Sequence, residues 1–151
     1  MQISMRPYED TDWDAICRVH DLARPYELQG SCDPRAFVPL ADDPTAQDVH
    51  TSRKWVACAD GHVVGFVGVD GTYLSWLYVD PRYSGRGIGQ RLLQLALDEI
   101  GPYAYTIALI NNVAACALYA SEGFVVAATF EGENAGYPCT CIRLERQLLV
   151  S

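Results

Sequence analysis

The sequence predicts an α/β chain in which helices flank a mixed sheet. Three observations predict it. Apolar runs are separated by Asp60-Gly61 and Asp70-Gly71, two tight-hairpin signals that set three consecutive strands side by side. A strand ending at Val79 passes through a proline and a glycine-rich turn into an amphipathic helix. Beyond that helix, strand and helix alternate before two closing strands. With 151 residues and 50% hydrophobic composition, the chain is long enough to bury a core and reads as one domain over residues 1–151.

Each element follows from local signals. Ile3 to Pro7 reads as a short first strand. Thr11-Asp12 supplies a helix N-cap, and Trp13, Ile16, Cys17, Val19 and His20 give the helix one face. Residues 24–30 read as irregular. Asp33-Pro34 caps and starts a second short helix through Phe37 and Val38, and residues 41–44 are loop. Strands follow over 54–59, 63–69 and 73–79. Ile88, Leu92, Leu95, Ala96 and Ile100 share one face of a helix that stops before Gly101-Pro102. A strand over 105–110 precedes an alanine-rich helix capped by Asn111 or Asn112, which ends at Gly123. Residues 124–130 and 139–144 are strands, joined by a loop over 131–136.

The segment Val79-Asp80-Pro81-Arg82-Tyr83-Ser84-Gly85-Arg86-Gly87-Ile88-Gly89-Gln90-Arg91-Leu92-Leu93 carries the most chemistry. Its glycines leave backbone uncovered where a helix begins, so free N–H groups and the positive end of the helix dipole share one small volume. That volume suits a phosphate. Arg82, Arg86 and Arg91 are three of only eleven basic residues, and no acid falls between Asp80 and Asp98. A P-loop needs GxxxxGK, and the only lysine is Lys54. A dinucleotide fingerprint needs GxGxxG after the first strand, whereas the spacing here is GxGxG past mid-chain.

The segment resembles the acyl-CoA-binding motif of the GNAT superfamily of N-acetyltransferases. The match runs through Val79, Pro81, Tyr83, Gly85, Gly87, Ile88, Gly89, Leu92 and Leu93, and departs at Ser84, where the family usually has Arg or Gln. A second stretch, Asn112-x-x-Ala115-x-x-Leu118-Tyr119-x-x-x-Gly123-Phe124, resembles a further family signature. The resemblance implies a GNAT-like fold: a central, mostly antiparallel, splayed mixed sheet flanked by about four helices. It implies transfer of acetyl from acetyl-CoA, as co-substrate, to a primary amine by direct attack in a ternary complex.

It also implies site residues. Ser84, Gly85, Arg86, Gly87, Ile88, Gly89, Gln90 and Asn112 are expected to bind the cofactor. So are the backbones of Leu77, Tyr78 and Val79, whose amides pair with pantetheine and the acyl carbonyl. Tyr119 is expected at the CoA sulfur as general acid. Expelling a thiolate requires a proton, and a tyrosine with a pKa near 10 holds one at neutral pH. Asn112 and Tyr119, seven apart, are expected on one helix face.

A base is harder to name. Some family members carry a Glu on the strand occupied here by residues 73–79, and this chain has none there. Asp70, His50, Glu27, Asp33 and Glu131 are candidates, but each reads first as a solvated loop residue, so no base is assigned. His20 reads as a core-facing residue and His62 as a hairpin residue. Residues 24–52 and 131–138 are expected to frame the acceptor pocket; Tyr26, Phe37, Trp55 and Trp76 either line it or pack the core.

A net charge of −8 disfavours nucleic acid as a partner. No apolar run reaches membrane-spanning length, and the N-terminus lacks a signal-like stretch, so a cytoplasmic location is expected. The cysteines at 17, 32, 58, 116, 139 and 141 form no CxxC pair and are expected to be reduced, with no metal site. Partners are expected to be a small-molecule or peptide amine acceptor, with no membrane; homodimerisation stays open. Two alternatives remain: a non-catalytic GNAT-like acyl-CoA-binding regulatory module, and an acyltransferase using a longer acyl-CoA.

Overall fold

The structure, a computed structural model, describes residues 1–148. Its frame is a seven-stranded sheet in the order β1-β2-β3-β4-β5-β7-β6. The strands are β1 (Ile3–Pro7), β2 (Arg53–Ala59), β3 (His62–Asp70), β4 (Tyr73–Val79), β5 (Tyr103–Leu109), β6 (Val125–Asn134) and β7 (Tyr137–Gln147). The helices are α1 (Trp13–Leu28), the single turn α2 (Asp48–Thr51), α3 (Ile88–Ile100) and α4 (Val113–Ser121). All neighbouring strands run antiparallel except β4 and β5. The mixed, mostly antiparallel architecture with four helices is therefore as expected.

The hairpin signals act as read. Gly61 and Gly71 take φ of +87° and +62° at the β2–β3 and β3–β4 turns, a region open to glycine at little cost. Consecutive pairing of β2, β3 and β4 follows.

A helix packs on each face of the sheet, while edge strand β6 stays largely exposed. On one side α3 presents Leu92, Leu93, Ala96 and Leu97 to Val64, Val67 and Leu74. Leu93 and Leu97 are buried while Leu95 is only half-buried, so the apolar stripe is rotated slightly from the one expected. On the other side Ile16 and Val19 of α1 pack with Val56 and Phe66. A third cluster joins Leu28, Ala36, Leu109, Cys139 and Cys141 below the end of α1.

Several boundaries differ from those expected. Helix α1 continues through residues 24–28, which read as irregular, and carries Pro25 inside it. A proline in a helix interior forfeits one backbone hydrogen bond. Tertiary contacts offset the loss here: Leu28 is fully buried, and Arg24 and Glu27 find partners across the fold. Asp33 caps a single 3-10 turn over Pro34–Ala36 in place of a helix reaching Val38. Strand β6 extends to Asn134 because residues 131–134 pair with Thr140 through Tyr137, leaving a turn only at Ala135-Gly136.

The expectation of six reduced thiols is corrected at two positions. Cys32 and Cys139 form a disulfide, their Cα atoms 5.3 Å apart across a sequence separation of 107. That spacing carries no local signature, because only the folded register of β7 beside the loop after α1 brings the two together. Cys17, Cys58, Cys116 and Cys141 are free. Among the described residues, no helix is long and apolar enough to cross a membrane.

Candidate active site

The site starts where two strands part. Strands β4 and β5 are the parallel pair, and their register holds at one position, Tyr73 opposite Tyr105. Two features open the gap. Tyr73 and Tyr105 stack at 4.9 Å and fix the closed end. A bulge in β4 then places Trp76 opposite Gly68 and Leu74 opposite Val69, leaving Ser75 as the extra residue. Such a bulge bends and twists its strand. Past it, Leu77 and Val79 belong to the α3-side core while Trp76 and Tyr78 face α1.

Backbone direction in the gap follows from strand alternation. The Asp80 amide donates to the Val64 carbonyl at 2.8 Å, toward β3. The amides of Val79 and Leu77, one and three residues back, therefore point away from β3 into the gap. The amide of Tyr78 is out of phase and turns to β3, where Tyr78 pairs with Phe66. This corrects one of the three expected backbone contacts: Tyr78 offers the cleft its side chain, not its amide.

The glycine segment lies at the open end. Asp80, which is 1% exposed, accepts from the Arg82 amide at 2.9 Å and holds a 3-10 turn over Pro81–Tyr83. Gly85 and Gly87 follow with φ of +77° and +76°. A Cβ on either would meet no atom within 4 Å, so their backbone faces open space. Helix α3 begins at Ile88, and its first intrahelical bond runs from the Arg91 amide to Gly87. The amides of Ile88, Gly89 and Gln90 thus lie in the unpaired first turn. A Cβ at Gly89 would lie 3.5 Å from Leu118 Cδ2, so α4 closes the side wall there.

Side chains of this segment are engaged elsewhere. The Ser84 hydroxyl donates to Pro81 O at 2.9 Å. The Arg86 guanidinium lies over the Tyr83 ring, 5.3 Å from its centre, and reaches Met1. Gln90 donates to Glu122 at 3.2 Å. Asn112 is the N-cap of α4, its Oδ1 accepting from the Ala115 amide at 3.3 Å. Its side chain is folded onto the helix end and does not stand on a face with Tyr119. What the segment presents is therefore backbone, which suits an anion cradle.

Tyr119 of α4 lines the cleft between β4 and β5. Burial pushes its phenol well above the ordinary tyrosine value, with Glu27, Tyr73 and Cys116 adding to the rise and Thr106 opposing it. The phenol therefore keeps its proton across the physiological range.

Across the cleft stands a polar wall that sequence reasoning only partly found. The Tyr78 hydroxyl donates to Glu27 Oε1 at 2.6 Å. Arg24 pairs with the same carboxylate and donates to Asn134 Oδ1 at 2.7 Å. The His20 ring packs edge-on against Tyr78 at 5.1 Å, and its Nδ1 lies 2.9 Å from Asp21. Burial lowers the His20 pKa, so its ring is neutral near pH 7. The cavity is about 370 Å³ and also takes in Asp43, Asp48, Thr106 and Glu133. Residues within 24–52 and 131–138 do frame it. Trp76 lines it, while Trp55 packs against the α3-side core.

The other base candidates lie outside the cleft. His50 stacks on Trp13 at 4.6 Å. Asp33 is held by Arg35, Glu131 by Thr140, and Asp70 is exposed at the end of β3. Arg24 and Thr106 were missed. Arg24 lies before a proline in a stretch read as irregular, and Thr106 is one β-branched residue in a strand, so neither carried a signal.

Comparison with known proteins places the chain in a family. The model of the acetyltransferase (GNAT) domain matches residues 50–126, a little over half of the chain. The chain belongs to the GNAT family. Peptidyl-lysine N-acetyltransferase YjaB of Salmonella typhimurium is 33% identical over 91 residues, covering 60% of this chain and 62% of that protein. N-alpha-acetyltransferase RimI of Mycobacterium tuberculosis is 42% identical over 77 residues, covering 45% and 49%. The chain thus spans about half to three fifths of the length of these curated relatives.

Among solved structures, a GCN5-related N-acetyltransferase from Rhodopseudomonas palustris superposes with a TM-score of 0.83 at 21% identity, covering 98% and 97% of the two chains. The PaiA N-acetyltransferase of Thermoplasma acidophilum, solved with coenzyme A, gives 0.75 at 16% identity, covering 98% and 100%. At these identities the structures share the fold.

Proposed function

We propose that the chain is one N-acetyltransferase domain that moves acetyl from acetyl-CoA to a primary amine by direct attack in a ternary complex. The observation that carries this reading is Tyr119, kept protonated by burial, at the point where β4 and β5 separate beside a glycine-built anion cradle. The relatives named for peptidyl-lysine and N-alpha acetylation favour an amine on a protein or peptide.

In this reading the CoA pyrophosphate rests on the amides of Gly85 to Gln90 at the positive end of α3. The pantetheine arm runs in the gap and pairs with the amides of Leu77 and Val79. One of these meets the thioester oxygen and stabilises the negative charge that builds there during attack. The amine attacks the acyl carbon, the C–S bond breaks, and the departing thiolate takes the Tyr119 proton. Solvent restores that proton.

The test measures thiol release from acetyl-CoA against small amines, peptides with a free N-terminus and peptides with an internal lysine, beside melting shifts with acetyl-CoA. The expected result is a raised melting temperature and amine-dependent thiol release. Neither a shift nor release with any acceptor would overturn the reading; a shift without release would favour the binding module.

A further inference from the structure

An alkylammonium with a pKa near 10.4 must lose a proton before it can attack, and the proposed reaction leaves open which group receives the amine. The cleft answers with one of the five candidate residues. Glu27 stands in the last turn of α1, beyond Pro25, and lines the same cavity as Tyr119. Its Oε1 is taken by Tyr78 and Arg24. Among the described residues no side chain or backbone group is bonded to its Oε2, and the side chain keeps 23% of its exposure. Glu27 is thus a carboxylate clamped by one oxygen with the other left for a ligand. Its charge reaches the reacting end of the cleft, since it contributes to the raised pKa of the Tyr119 phenol.

We infer that Glu27 is the acceptor-side catalytic carboxylate, whose Oε2 receives the substrate amine while Arg24 and Tyr78 hold it in place. This rests on the acetyl-transfer reading above. The surroundings fit a cation: Asp43, Asp48 and Glu133 line the cavity with it, against Arg24 alone of the lysines and arginines, and His20 is neutral. The acceptor class is therefore an amine that arrives as an ammonium.

The ammonium releases one proton to water and the neutral amine attacks. As the N–C bond forms, nitrogen becomes positive, and its surplus proton passes to Glu27 and on to water through the open cleft. The C–S bond breaks and sulfur takes the Tyr119 proton, which water replaces. The net yield is amide, CoA thiol and one proton.

The experiment compares the full-length wild type with Glu27→Gln, Glu27→Asp and Glu131→Gln, using acetyl-CoA and a lysine-containing peptide. Gln matches Glu in shape and still accepts from Tyr78 and Arg24, so the fold is preserved. Glu27→Gln should lower kcat/KM for the peptide by about a hundredfold, within the range of general acid–base catalysis, and leave the acetyl-CoA melting shift intact. Glu27→Asp should recover part of the loss, and Glu131→Gln should behave as wild type. Full activity in Glu27→Gln, or a parallel loss of the acetyl-CoA shift, would overturn the inference while the acetyl-transfer reading stands. A wild type that acetylates no amine would remove both.

Discussion

The hydroxyl of Thr106 donates to the carbonyl oxygen of Leu74 at 2.9 Å, where the pairing of β4 with β5 ends. A side chain here takes over from the ladder, and Thr106 is 2% exposed. Thr106→Val keeps the shape but leaves a buried carbonyl without its donor. Such a loss costs about 1–3 kcal/mol. Chemical denaturation should show a lower midpoint with an unchanged slope.

Tyr119→Phe removes the proton donor and preserves the ring, which meets Phe124 edge-on at 5.4 Å. The turnover number should fall by roughly 10²–10⁴, as general acid catalysis predicts, while the melting shift with acetyl-CoA stays. Unchanged turnover at saturating acetyl-CoA would remove Tyr119 from the chemistry.

Gly87 and Gly71 form a matched pair for testing the anion cradle. Both hold positive φ, +76° and +62°, and at both a Cβ would meet nothing within 4 Å. Alanine at either should cost about 1–2 kcal/mol in backbone strain. Only Gly87→Ala should also shrink the acetyl-CoA melting shift, because its Cβ would enter the volume assigned to the pyrophosphate.

Acid should weaken the turn that sets up this cradle. Hydrogen bonding to Arg82 holds the Asp80 carboxyl below its ordinary value of 3.8, and Arg6 does the same for Asp12. A carboxyl lowered in the folded state adds stability that is complete above the unfolded pKa and is lost as pH falls through the folded one. Melting temperature should therefore be level near neutrality and drop below about pH 4. Asp80→Asn, which keeps a side-chain acceptor for the Arg82 amide, should flatten part of that drop.

The strands and the glycine-rich turn into α3 were legible in the sequence because their signals are local. Asp60-Gly61 and Asp70-Gly71 mark turns by their own chemistry, and the Val79 to Leu93 run carries glycines at fixed offsets. The polar wall opposite Tyr119 was legible only as the spans 24–52 and 131–138 and as Glu27 among five candidates, because it is assembled from distant segments. Glu27 meets Tyr78 across 51 residues and Arg24 meets Asn134 across 110. The helix end that bears them was hidden by Pro25, where packing outweighs local preference. Strand phase also escaped: whether Tyr78 or its neighbours aim an amide into the gap depends on the β3 register.

The Cys32–Cys139 bond closes residues 32–139 into a covalent ring. Residues 33–138, which hold the glycine cradle, Tyr119 and most of the sheet, lie inside that ring. A single backbone cut anywhere within it, such as in the loop around Asp43, leaves both pieces covalently joined. Such a nicked protein should run as one species on a non-reducing gel and as two after thiol treatment. Under oxidising conditions the polar wall around Glu27 and the helix that bears Tyr119 would stay joined across a break in the chain between them.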